Sequence, residues 1–152
     1  MPGTVLRRLA ARFPERYPVL LDSAAVGPLS RASVLAAIPR AALWLDGQGR
    51  LGSEGVQVRG ASFLDALERW WLAERTPPQE AGPPFAGRPL VFLFYDVAHE
   101  VEPRLRLPSS GLPWQAFALR TPCAVVHELE TGRVYAVAER EAAGALDQIA
   151  VD

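Results

Sequence analysis

The last third of the sequence limits the fold most tightly, because three short β-prone runs follow one another there with only turn residues between them. The segment Glu130-Thr131-Gly132, between the last two runs, is typical of a tight hairpin turn. The three predicted strands are Ala116–Arg120, Cys123–Leu129 and Val134–Ala138. The last two runs, which this turn joins, are expected to pair antiparallel, since parallel neighbours need a long crossover. The pattern therefore argues against a fold of repeated β-α-β units.

Helical patterns flank and interrupt further predicted strands. Helices are expected at Thr4–Phe13, Ser62–Arg75 and Arg140–Ile149, with a helical turn at Asp96–Val101. Ser62 is the predicted N-cap of the second helix, with Asp65 three residues later. The remaining predicted strands are Ser33–Ile38, Ala41–Leu45, Val56–Val58 and Leu90–Tyr95. The last of these is a continuous apolar run and is predicted to be a buried central strand.

These elements predict an α+β fold in which antiparallel sheets pack with a few helices. The 152 residues, 49% of them hydrophobic, are sufficient for one well-buried core. The Pro-rich stretch from Pro77 to Pro89 is too short to mark a domain boundary. We therefore expect a single domain spanning residues 1–152.

The charge pattern excludes several classes of function. All sixteen basic residues are Arg, they are spread along the chain, and the net charge is −1. Without a basic face there is little electrostatic basis for binding nucleic acid or an anionic membrane. The absence of Lys excludes a Schiff-base or P-loop lysine from this chain. No apolar run is long enough for a signal peptide or a membrane span, so a cytoplasmic location is expected.

One short motif matches the dinucleotide-binding pattern in letters only. The segment Gly47-Gln48-Gly49-Arg50-Leu51-Gly52 has the required glycine spacing. In a dinucleotide site the third glycine packs against a helix, whereas here the motif leads into the predicted strand Val56–Val58. The motif is therefore interpreted as a glycine-rich hairpin turn.

Two His-Glu pairs, His99-Glu100 and His127-Glu128, raise the question of a metal site. Neither His has a second His four residues later, as a helical zinc site needs. Both pairs are predicted to be the solvated ends of a helical turn and of a strand. No metal ligand is predicted, although a small metalloenzyme that uses His99 or His127 remains an alternative. The lone Cys123 lies in a predicted strand interior and is expected to act as a small hydrophobe.

Several short motifs, taken in order, resemble a known family. Leu20-Leu21-Asp22-Ser23 is followed by Ser30-Arg31, and later elements continue the order: Phe85-Ala86-Gly87, Phe92–Asp96, Glu102-Pro103-Arg104-Leu105, Val125–Glu128 and Thr131–Val137. This series resembles the N-terminal region of the chorismate-utilising synthases, aminodeoxychorismate synthase component I and anthranilate synthase component I. The sequence departs from the family pattern at Asp22, Arg88 and Phe94, and the Tyr17-Pro18 lead-in is more similar to the aminodeoxychorismate branch.

The resemblance implies a non-catalytic N-terminal domain. In the family a C-terminal domain binds chorismate and Mg²⁺ and adds ammonia delivered by a glutamine amidotransferase subunit. That catalytic domain has no counterpart in these 152 residues, so we expect no catalytic residue here and no activity from the chain alone. The expected partners are the amidotransferase subunit, the C-terminal domain and L-tryptophan. Two alternatives stay open: an anthranilate synthase component I domain with a tryptophan feedback site, and a stand-alone ligand-sensing or interaction module derived from the same fold.

The family's N-terminal domain also contributes half of a tryptophan pocket, and the resemblance maps this half-pocket onto three residues. The Ser23 hydroxyl and the Leu21 carbonyl would face the ammonium group, and Leu29 would pack against the indole. Leu29 stands where some relatives have an aromatic residue, which would weaken ring packing by about 0.5–1.5 kcal/mol. The alternative is that Leu20, Leu21 and Leu29 simply belong to the core.

Overall fold

The computed structural model describes residues 2–23, 27, 30–57, 59–75 and 89–152. Within them are four α-helices and eight β-strands, and every strand pair is antiparallel. The helices are α1 (Pro2–Arg12), α2 (Phe63–Glu74), α3 (Ala98–Val101) and α4 (Ala145–Val151). The strands are β1 (Val19–Leu21), β2 (Ala32–Ala37), β3 (Ala41–Asp46), β4 (Leu51–Glu54), β5 (Pro89–Leu93), β6 (Trp114–Arg120), β7 (Cys123–Glu128) and β8 (Val134–Ala138). The predicted α+β fold is confirmed.

The described chain divides into two compact units. The first unit, residues 2–39 and 121–152, contains a sheet in the order β1-β2-β7-β8 together with α1 and α4. Inward-facing side chains from β2 and β7, such as Leu35 and Val125, pack with Leu6 of α1, Ile149 of α4 and the buried Tyr17. Alternation along the strands places these apolar residues on one face. That face is the core of the first unit.

The second unit, residues 40–75 and 89–120, contains a sheet in the order β4-β3-β6-β5. In its core, Leu43 of β3 and Ala118 of β6 lie on one face of this sheet. Phe63 and Trp70 of α2 pack against that face. Trp70 and Phe63 are among the largest fully buried side chains of the described chain. Apolar burial of this kind stabilises a fold by about 25 cal/mol per Å², so these aromatics dominate the second core.

Helix α2 begins where two separate acceptors meet its free backbone N–H groups. The Ser62 hydroxyl accepts a hydrogen bond from the Asp65 N–H at 3.2 Å, which confirms Ser62 as the N-cap. The Glu100 carboxylate accepts two more, from the N–H groups of Phe63 and Leu64, at 2.8 and 2.9 Å. The first turn of a helix leaves its N–H groups without internal partners, and a negative charge is favourable there. Glu100 therefore helps to define where α2 starts.

The glycine-rich motif forms a hairpin turn between β3 and β4, as predicted, but the second strand begins earlier than expected. The Asp46 carboxylate accepts hydrogen bonds from the N–H groups of Gln48 and Arg50, both at 2.9 Å. These bonds close the turn within a few residues, so β4 begins at Leu51. The predicted strand Val56–Val58 is wrong, because residues 56 and 57 are not in a strand and Val58 lies outside the described residues.

The prediction of a buried central strand at Leu90–Tyr95 is also wrong. Strand β5 ends at Leu93 and lies at the edge of its sheet, where it pairs with β6. Three successive residues, Val91, Phe92 and Leu93, are about half exposed. An apolar run gives the hydrophobicity of a strand but not its neighbours, so it cannot distinguish an edge strand from a central one.

None of the helices in the described ranges has the length and apolar character required to span a bilayer.

Candidate functional site

The sequence-predicted Ser23 lies in a group of polar residues at the end of the first unit's sheet. We call this group, Arg7, Asp22, Ser23, Ser33 and His127, the polar cluster. The Ser23 hydroxyl donates to the Ala32 carbonyl at 2.8 Å, and the Ser23 N–H donates to Ser33 Oγ at 3.1 Å. These two bonds hold the chain that follows β1 against the start of β2. The position of Ser23 is therefore fixed by backbone geometry as well as by its own side chain.

Asp22 is the charged centre of the polar cluster. Its Oδ2 accepts from Arg7 Nε and Nη2 at 3.0 and 2.6 Å, and its Oδ1 accepts from the Ser33 hydroxyl at 2.9 Å. The hydrogen bonds from Arg7 and then from Ser33 lower the pKa of Asp22 below its usual range, and the positive form of His127 adds to the effect. Asp22 is thus an ionised carboxylate at neutral pH.

The prediction that His127 lies at a solvated strand end is wrong. Its strand β7 lies between β2 and β8, and its side chain is only 7% exposed. It stands directly opposite Ser33, which is 1% exposed, in the β2–β7 register. Among the described residues, its buried Nδ1 has no hydrogen-bond partner. Most buried polar atoms are paired, so this nitrogen marks the cluster as unusual for a packed core.

The other two predicted tryptophan-site residues have different outcomes. Leu21 ends β1 and pairs with Val34, and its side chain is 52% exposed, so it is not a core residue. Leu29 lies outside the described residues, and its predicted role stays a prediction. Leu20, which the core alternative also included, does pack against the core of the first unit. The tryptophan half-pocket as a whole therefore remains a prediction.

The polar cluster has the chemistry to accept hydrogen bonds from a small cationic group. The hydroxyl proton of Ser23 is used toward Ala32, so the lone pairs of its oxygen remain available as acceptors. An ammonium group carries three donors and no acceptor, which matches the Ser23 oxygen, whereas the Asp22 carboxylate beside it is already paired with Arg7.

Sequence reasoning missed Ser33 and His127 as members of this cluster. A polar residue at an inward-facing position of β2 is the signal that could have identified Ser33.

In the other His-Glu pair, His99-Glu100, each side chain has a hydrogen-bond partner of its own. His99 is exposed, and its Nδ1 lies 2.5 Å from the Asp96 carbonyl. Both oxygens of Glu100 are engaged at the start of α2. In the described ranges no three His, Cys, Asp or Glu side chains are grouped closely enough to hold a metal ion. Cys123 is fully buried, and burial raises the pKa of its thiol, so it behaves as a small hydrophobe.

Comparison with known proteins identifies the class of fold. No family model matches the sequence, and no curated protein matches it. Solved structures do match, among them anthranilate synthase component I from Streptococcus pneumoniae TIGR4, with a TM-score of 0.61 and 19% sequence identity. The match covers 86% of this chain and 31% of that protein.

The chain thus has an α+β fold of the kind found in part of anthranilate synthase component I. It spans about a third of the length of that protein. At 19% identity the likeness shows the fold and leaves the activity to be tested.

Proposed function

We propose that the chain is the non-catalytic N-terminal domain of an aminodeoxychorismate synthase component I. The observation that supports the proposal is the fold match, which covers most of this chain but only 31% of anthranilate synthase component I. The ordered motifs, with Leu20-Leu21-Asp22-Ser23 leading from β1 into the polar cluster, add to it. In such an enzyme a C-terminal domain would bind chorismate and Mg²⁺, and an amidotransferase subunit would supply ammonia. We place this enzyme in the cytoplasm, in para-aminobenzoate and folate synthesis.

A second candidate function is the corresponding domain of anthranilate synthase component I, in tryptophan synthesis. It is favoured by the name of the solved structure that the chain resembles. The two candidates differ in the product formed from chorismate, and they can therefore be separated by identifying that product. A stand-alone ligand-sensing module would form neither.

The first experiment compares this 152-residue chain with the protein encoded by its full natural reading frame. Each is incubated with chorismate, Mg²⁺ and ammonia, and the products are separated by chromatography. The chain alone should give no product, and the full protein should give aminodeoxychorismate. Turnover by the chain alone would contradict the proposal. Anthranilate from the full protein would favour the second candidate, and a reading frame that stops at Asp152 would favour the stand-alone module.

The second experiment tests the tryptophan half-pocket by calorimetric titration. If the Ser23 oxygen accepts from the ligand ammonium, Ser23→Ala should weaken tryptophan binding by about tenfold or more, the value expected for a hydrogen bond to a charged group. Ser23→Thr keeps the hydroxyl and should bind like the parent. Ser53→Ala removes an exposed strand serine in the second unit and serves as the matched control. Equal binding by the parent and by Ser23→Ala would exclude this role for Ser23.

A further inference from the structure

A groove of about 500 Å³ lies in the first unit, bordered by α1, β7, β8 and α4. Its apolar lining is contributed by all four elements: Val5, Leu9, Val125, Val134, Ala136 and Ile149. No residue of the polar cluster lines it. A volume of this size falls within the range of small-molecule sites, which are mostly apolar with a few placed polar groups.

Two guanidinium groups line the same groove. Arg8 and Arg12 are one helical turn apart on α1, so their side chains lie on one face of that helix. Both are exposed, and in the part of the chain that the structure describes neither is paired with a carboxylate. Arg12 lies over the ring of Phe13 at 5.1 Å. Two like charges at this spacing repel each other, and an anion between them would relieve the repulsion.

The one acidic residue that lines the groove does not neutralise these arginines. The Asp152 carboxylate is held by Arg16 at 2.5 Å and by the Tyr17 hydroxyl at 2.6 Å. The hydroxyl of Tyr135, another lining residue, donates to Glu128 at 2.9 Å. In the described part of the chain, the groove therefore keeps two guanidinium groups that no carboxylate neutralises, beside an apolar floor.

We infer that this groove binds a monocarboxylate with an apolar body, with Arg8 and Arg12 holding the carboxylate and the apolar lining covering the rest. Guanidinium groups match the planar geometry of a carboxylate and can donate two parallel hydrogen bonds to it. A small inorganic anion would leave the apolar floor in contact with water, and an uncharged hydrocarbon would leave the arginines unpaired. This site is independent of the proposed chorismate-related function, because it uses none of the residues of the polar cluster.

Decanoate is a suitable probe, measured by calorimetry and by the NMR shifts of backbone amides in β7 and β8. We expect saturable binding of one decanoate, with shifts centred on Val125 and Tyr135. Acetate has the charge without the apolar body, and decanol has the body without the charge, so both should bind at least tenfold more weakly. Equal binding of decanol and decanoate would overturn the inference, as would the absence of saturable decanoate binding.

Three variants test the location. Arg8→Gln removes one exposed charge and should weaken decanoate binding about tenfold or more. Arg106→Gln removes an exposed charge in the second unit and should leave binding unchanged. Val134→Trp fills the groove from a position that is 38% exposed, so the fold should tolerate it, and it should abolish binding. Circular dichroism verifies that each variant is folded. Decanoate binding that survives both Arg8→Gln and Val134→Trp would place the ligand elsewhere and refute the site.

Discussion

Replacing Tyr17 with Phe tests whether a buried, charge-assisted hydrogen bond fastens the end of α4 to the segment before β1. The Tyr17 side chain is 1% exposed, and its hydroxyl donates to Asp152 Oδ2 at 2.6 Å. Arg16 donates to the same carboxylate at 2.5 Å, so the acceptor is ionised and held in place. A hydrogen bond to a charged group contributes about 1.5–3 kcal/mol. We expect Tyr17→Phe to lower the free energy of unfolding of the first unit by that amount.

The assay must report on the first unit, and tryptophan fluorescence does not. All four tryptophans belong to the second unit: Trp44, Trp70, Trp71 and Trp114. Native-state hydrogen exchange of β7 amides, such as those of Val125 and Val126, measures the opening free energy where it is needed. Tyr135→Phe is the matched control in the same unit, and it should cost less because Tyr135 is only partly buried, whereas Tyr17 is almost fully buried.

A double-mutant cycle with Asp152→Ala isolates the bond itself. Asp152→Ala alone should cost more than Tyr17→Phe alone, because it leaves a buried hydroxyl without its acceptor and removes the partner of Arg16. In the Tyr17→Phe background, the cost of Asp152→Ala should fall by about 1.5–3 kcal/mol. A coupling energy near zero would refute the reasoning, since the hydroxyl would then be satisfied equally well without Asp152.

Three further predictions follow from single contacts. Burial, and then the bond to Asp152, raises the pKa of the Tyr17 hydroxyl in the folded chain. The unfolded chain therefore loses this proton at a lower pH than the folded chain does, so the free energy of unfolding should fall as the pH rises above about 10. In an alkaline unfolding series, Tyr17→Phe should reduce that fall. Glu100→Ala should lower the free energy of unfolding by about 1–2 kcal/mol, because α2 loses the acceptor for two of its N–H groups. Urea denaturation followed by tryptophan fluorescence measures this change. As the control, Glu102→Ala removes an exposed carboxylate and should change the free energy of unfolding by less than about 0.5 kcal/mol. Gly55→Ala and Gly132→Ala both place a side chain at positive φ, +67° and +69°, but only the first puts a Cβ against a backbone oxygen, that of Arg40. Gly55→Ala should therefore lower the melting temperature more than Gly132→Ala, and equal melting temperatures for the two variants would contradict this difference.

The elements that sequence patterns predicted well depend on nearby residues. The hairpin between β7 and β8 turns at Gly132, whose φ of +69° suits glycine, and the turn lies where the segment Glu130-Thr131-Gly132 placed it. Helix α2 begins after Ser62, whose hydroxyl accepts from an N–H three residues later. Turn chemistry and helix capping act over three or four residues, so the sequence carries their full signal.

The predictions that failed depend on residues far apart in the chain. His127 stands near the end of a predicted strand, yet β2 and β8 lie on either side of it and bury it. Strand β5 is as apolar as a central strand, but its place at the sheet edge depends on pairing with β6, more than twenty residues away. Strand order is set by such distant pairings, and a local pattern of hydrophobicity does not encode it.

The same dependence on distant strand pairings explains why only part of the polar cluster could be predicted from the sequence. Asp22 and Ser23 form a short local motif, whereas Ser33 and His127 meet only through the β2–β7 register. On that face Leu35 and Val125 belong to the apolar core, and the next residues on the same face, Ser33 and His127, are buried as well but polar. The proposed tryptophan site would bring a ligand ammonium to acceptors that hydrogen bonds within the chain already hold in place. The groove beside Arg8 and Arg12 is proposed to hold a carboxylate. The two proposals therefore predict ligand groups of opposite charge at two separate places in the first unit, and each can be tested without the other.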